Sequence, residues 1–243
     1  MISIDSPLRR LPLGLDQRQF LILDGIRHAA EIAGLADTRL RESLWAIAQT
    51  HEAGQNPEFS GQVTSAYLDA WAIVDAIDRL RSLAKLMPRN SEGTTPGDLL
   101  EDLKPIRDLR NVSDHLAQRL DYVVAKNAPA LGRLSWLAMN NDSQGSYCVL
   151  LPGTLLKTHK FRIPEFGGLK VRLPVGHISL GAGEHESSLC VALEKASAVV
   201  DSVERGVRHA MEKLGLSSSP FQADVMVSME VDFGAHLLTQ GTG

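Results

Sequence analysis

Cysteine is scarce in this chain: 243 residues hold only two, Cys148 and Cys190. They have neither the number nor the spacing of a disulfide framework or a zinc site, and they read as reduced packing thiols. Long apolar runs are missing as well; none is long enough to cross a bilayer. Met1 to Leu15 lacks the basic start and unbroken apolar stretch of a signal peptide, so cytoplasm is the expected location. Positive charge is not in excess either. The formal net charge is −4, so no global field draws in nucleic acid, and any RNA contact would depend on a local patch.

Familiar catalytic signatures are absent too. There is no P-loop, no Gly-x-Ser-x-Gly elbow, no His-Glu-x-x-His and no paired Cys-x-x-Cys. The eight histidines are scattered without metal-ligand spacing, so neither a metal nor another cofactor is expected. Gly181-Ala182-Gly183 opens like a dinucleotide fingerprint, but the third glycine is missing and Glu184 and Glu186 would repel phosphate. A flexible strand-to-helix turn accounts for it better.

What remains is ordinary globular composition, 44% hydrophobic and 22% charged, in a chain long enough to bury a sizeable core as one domain over residues 1–243. Residues 14–128 read as helical. Phe20, Leu23, Ile26 and Ala30 are spaced for a helix over Gln17 to Ala33 that stops at Gly34. Asp37 is then a plausible cap for a second helix, Thr38 to about Ala53. A third runs from about Phe59 to Met87 with Tyr67, Ala70, Trp71, Val74, Ile77, Leu80 and Ala84 in one stripe, and Pro88 ends it. Asp98 caps a fourth stretch reaching about Asn127, in which Pro105 marks either a kink or a fresh helix start.

A β insertion is expected over residues 132–183. Leu134 to Met139, Tyr147 to Leu151, Leu169 to Leu173 and Val175 to Leu180 are short and β-leaning between turn formers. The last helix, about Ser188 to Leu214, has the cleanest helical period in the chain, and residues 216–243 form a tail. Within it Val225, Val227, Met229, Val231 and Phe233 alternate as in a single strand needing a partner. The expected class is therefore mainly α, a helical bundle with a small β insertion before its last long helix.

One helix carries a polar cluster. On a wheel of the fourth stretch, Leu103, Ile106, Leu109, Val112, Leu116, Leu120 and Val123 form one face. Arg107, Asn111, Asp114 and Gln118 lie opposite, flanked by Arg110 and His115. Arg110 and Asp114, like Asn111 and His115, are four apart and can touch. Arg110 and His115 are about 140° apart around the axis, so a shared substrate would need a second helix or subunit. A polar face with internal ion pairs is also what any surface helix shows.

The segment Ile106 to Leu120, with Arg110-Asn111, then Asp114-His115, then Arg119, resembles the signature helix of HEPN domains. The resemblance implies a helical bundle that commonly forms a homodimer with the motif helices facing each other. It implies a metal-independent ribonuclease, often a toxin paired with a nucleotidyltransferase-type antitoxin. In that case His115 would act as general acid or base, Arg110 would stabilise charge on the phosphate, and Asn111 would orient either group. Asp114, Arg119 and Arg107 would support them. Other HEPN-like proteins cleave nothing and bind a nucleotide, RNA or a protein partner; Arg110, Asp114 and His115 would then form a polar interface network. Lys157, Lys160, Arg162, Lys170 and Arg172 concentrate positive charge on the β insertion beside Phe161 and Phe166. They read either as an RNA platform or as a solvated hairpin.

Overall fold

A computed structural model describes residues 1–54, 60–89, 94–114, 129–141, 144–152, 173–220 and 224–229. Helices dominate and a four-stranded antiparallel sheet completes the fold. In chain order the elements are α1 (Gln17–Glu52), α2 (Ser60–Ala84), a 3-10 helix (Pro96–Leu103) and α3 (Lys104–Asp114). Strands β1 (Arg133–Asn141), β2 (Gln144–Leu150), β3 (Val175–Ala182) and β4 (His185–Ser188) follow, then α4 (Leu189–Leu214). Among the described residues no helix is long and apolar enough to cross a membrane.

The first 36-residue helix corrects the expected break at Gly34, because α1 runs straight through it. Asp37 is not a cap but an ion-pair partner of Arg41 one turn on, at 2.7 Å. A single glycine costs a helix about 1 kcal/mol. That is small beside the burial of Ala29, Ala33, Ala36, Leu40 and Leu44 along one continuous stripe. The true N-cap is Asp16, whose carboxylate accepts from Gln19 N at 2.8 Å while the Gln19 side chain reaches back to Asp16 N.

Helix α2 returns antiparallel to α1: Gly25 lies against Leu83, and Arg39 meets the buried Asp69 at 3.4 Å. Pro105 sits in the first turn of α3, after the 3-10 helix, which selects the fresh-start reading over the kink. Helix α3 is described to Asp114, and the rest of that expected stretch, 115–128, lies outside the described residues.

Sheet order is β2-β1-β3-β4, each neighbouring pair antiparallel. Leu134, Trp136 and Ala138 of β1 and Ile178 and Leu180 of β3 face the core with the helices. The expected strands at 134–139, 147–151 and 175–180 are present with slightly different ends, whereas that at 169–173 falls mainly outside the described residues. Gly181-Ala182-Gly183 does not turn from strand to helix. Gly183, at φ +61°, lies in the β3–β4 hairpin turn, and β4 then runs directly into α4. The sheet segment therefore reaches Ser188, beyond the expected boundary at 183.

Tyr67 fastens α2 to this sheet. Its hydroxyl accepts from Leu134 N (3.2 Å) and lies 3.0 Å from Gly132 O and 2.9 Å from Leu150 O, where its single proton can go to either. Gly132 has φ +86°, and a Cβ there would come within 2.4 Å of Gly181 O, so only glycine lets the start of β1 pass this close to β3. At the other end of the molecule the first residues pair with those after α4: Leu13 N donates to Ser217 O (2.9 Å) and Ser219 N to Leu11 O (3.1 Å).

The expected terminal strand is not paired over 224–229, where Val225, Met226, Val227 and Met229 are 79–92% exposed. Asp224 holds the start of that segment to the N-terminal third of α1. It pairs with Arg27 at 2.5 Å.

Candidate functional site

Helix α3 turns Ile106, Leu109 and Val112 into the core. That rotation leaves Arg107 and Asp114 exposed, and Arg110 and Asn111 half-buried, on its other side. Arg110 and Asp114 do meet across one turn, at 3.6 Å. The larger part of the Arg110 environment comes from α2. Its Nη1 donates to Asp78 Oδ2 at 2.5 Å and its Nη2 lies 3.3 Å from Asp75. Asp78, with an 8% exposed side chain, also accepts from Arg81 at 3.1 Å, and Asp75 pairs with Arg79 at 2.6 Å.

The result is a closed network of three aspartates (75, 78, 114) and three arginines (79, 81, 110), balanced in charge among the described residues. The hydrogen bond to Asp78 outweighs desolvation and raises the Arg110 pKa still further, so its charge is permanent. A phosphate approaching Arg110 would have to compete with carboxylates already in place, one of them buried. Asp75 and Asp78 were not evident as partners in the sequence. The one hint is an acidic residue, Asp78, directly beside Ile77 on the buried stripe of α2.

His115 and Arg119 lie outside the described residues, as do Lys157, Lys160, Arg162, Lys170 and Arg172 on the insertion. Of the residues singled out, the structure thus brings together Arg110 and Asp114, with Asn111 and Arg107 on the same helix. No ion pair is formed by Arg107 within the described residues. The neighbouring Asp108 instead approaches His185 of β4, at 3.9 Å, tying α3 to the sheet.

Asp24, His28 and Asp224 form a second cluster, with possible ligand atoms within 4.8 Å of one another. Its centre is taken by Arg27, 2% exposed, which donates to Asp24 (2.9 Å), Glu31 (3.2 Å) and Asp224 (2.5 Å). Burial opposes the Arg27 charge, but these carboxylates outweigh it and its pKa is raised, while the same pairing lowers that of Asp224. A metal ion would have to displace a guanidinium held by three carboxylates.

Neither cysteine is placed as a nucleophile. Cys190 Sγ accepts from Ile178 N (3.4 Å) and Arg41 Nη2 (3.6 Å), joining α4, β3 and α1. Burial pushes the Cys148 thiol up to about 11, and the Glu52 carboxylate adds to the shift. At pH 8 its thiolate fraction is therefore about a thousandth. Alkylation of Cys148 by iodoacetamide, followed by peptide mass spectrometry, is expected to run about a hundredfold slower in the native chain than in urea. The native rate should climb roughly tenfold per pH unit above that, and equal rates at pH 8 would contradict the burial.

No protein-family model matches this chain, and no curated protein or solved structure matches it either.

Proposed function

We propose that this chain is a non-catalytic HEPN-like binding protein, whose motif arginine holds helix α3 to α2 instead of gripping a phosphodiester. One observation carries the reading: Arg110 is shared among Asp78, Asp75 and Asp114 in a charge-balanced network. A ribonuclease of the metal-independent kind needs that guanidinium free to meet charge developing on phosphate. Here its Nη1 is hydrogen-bonded to Asp78, and its Nη2 and Nε lie 3.3 Å from Asp75 and 3.6 Å from Asp114. The long α1–α2 hairpin, the motif helix packed on it and the returning α4 are compatible with a HEPN-like bundle, with the sheet as an insertion. The exposed side of α3, carrying Arg107 and Asp114, suits a protein partner, including a second copy in a homodimer, better than an RNA backbone. Balanced charge gives little attraction for a polyanion.

Two measurements test this. RNA incubated with the purified chain and a chelator is expected to stay intact, both with the wild type and with Arg110→Ala. Arg110→Ala should also lower stability by roughly 2 kcal/mol, less than for a fully buried pair because about 35% of its side chain is in solvent. That corresponds to about 4–8 °C in the thermal midpoint. RNA cleavage that Arg110→Ala abolishes without shifting the midpoint would sink the proposal. It would restore the alternative, a ribonuclease, toxin-like, using Arg110, Asn111 and His115.

A further inference from the structure

A cavity of about 880 Å³ opens at the N-terminal end of α1, between its first turn, the C-terminal half of α4, residues 86–88 and the start of the 3-10 helix. One side of it is a row of small residues on α4, the half-buried Ser202 and Ala210 and the exposed Gly206, each four apart and so on one helix face. Aliphatic side chains such as Leu23, Leu99 and Val207 wall it. A glycine in mid-helix costs about 1 kcal/mol relative to alanine. A Cβ added at Gly206 meets nothing within 4 Å, so a larger side chain there has room to extend along the cavity. The missing side chain keeps the space open at the expense of helix stability.

The size and mostly apolar lining are those of a small-molecule site, with few polar groups to orient the ligand. Among the described residues two charged ones stand on its lining, Asp16 and Arg18. The Asp16 carboxylate is committed to capping α1. Arg18 forms no ion pair within the described residues, which leaves one uncommitted positive charge beside an apolar chamber. That combination matches a ligand with a hydrocarbon body and a single anionic head.

We infer that the cavity binds an aliphatic carboxylate, its acid group at Arg18 and its chain lying over Ser202, Gly206 and Ala210. This ligand class deepens the binding reading above and rests on it. The RNA assay tests that reading separately, because the Arg110 network contributes no residue to the cavity.

The test is calorimetric titration of the full chain with sodium octanoate, decanoate and dodecanoate, each below its micellar concentration. One saturable site is expected, with affinity rising about fourfold per added methylene until the cavity is full. Gly206→Leu should lose at least about tenfold in dodecanoate affinity by occupying the space beside α4. Gly206→Ala adds only a methyl group, and is expected to bind within about twofold of the wild type and to melt at or above it. Arg18→Ala should weaken decanoate about two- to fivefold and leave decanol unchanged. Absence of saturable binding, affinity independent of chain length, or unchanged dodecanoate affinity in Gly206→Leu each overturns the inference.

Discussion

Tyr67→Ala is expected to destabilise the fold by about 3–5 kcal/mol, close to the loss for other large buried aromatic side chains. In a chain of this length that amounts to a drop of roughly 10 °C or more in the thermal midpoint. The ring is buried among the helices, and its hydroxyl satisfies Leu134 N and one of two carbonyls at the point where β1 begins. Tyr67→Phe separates the two contributions. It keeps the ring but strands a buried N–H, and should cost about 1–3 kcal/mol. The pH dependence has a defined sign. Burial raises the Tyr67 pKa above its ordinary value near 10, and the unfolded chain therefore ionises first. The contribution of Tyr67 is fully present below pH 10 and is lost as the pH rises beyond it. Denaturant titrations at pH 8 and pH 10.5 should show a steeper loss for the wild type than for Tyr67→Phe. Equal slopes would mean that the phenol is not buried as described.

Arg27→Ala is expected to cost about 3 kcal/mol, since it leaves Asp24 and Glu31 facing a void without their shared cation. The same change removes the anchor of Asp224, so a second readout follows. Limited proteolysis should cut the segment after Pro220 sooner in Arg27→Ala than in the wild type, under conditions where both remain folded. Asp224→Ala should reproduce the faster cutting with an unchanged thermal midpoint, because Asp224 is largely in solvent while Arg27 keeps Asp24 and Glu31. If Asp224→Ala is cut no faster than the wild type, the tail is not held by this pair.

These contacts mark the boundary of what the sequence makes legible. Helix α4 was readable almost to the residue because Leu189, Ala192, Ala196, Val199, Val203 and Val207 keep one strict period, and all are buried. The strands at 133–141 and 175–182 were readable from β-leaning residues between turn formers. Gly34 marks no break because a local preference of about 1 kcal/mol is outweighed by the buried residues on either side of it, Ala33 and Ala36, which keep one helical stripe in the core. Gly183 misled for a related reason: glycine marks a reversal but says nothing of what comes after it. Arg110 and Asp114 were legible as a pair four apart on one helix. Asp75 and Asp78 were not, because their part depends on how two helices are rotated against each other. The cavity was illegible for the same reason, since Ser202, Gly206 and Ala210 become one side of it only when α1 and the 3-10 helix stand opposite.

The short antiparallel contact between residues 11–13 and 217–219 makes the described backbone nearly a ring. Because those two segments already lie side by side, a brief peptide link between them could replace the present opening while new ends are cut into another surface turn. It also means that labels placed at Leu13 and Ser217 would sit side by side. Their separation then reports whether this backbone contact is formed, independently of the packing of the interior.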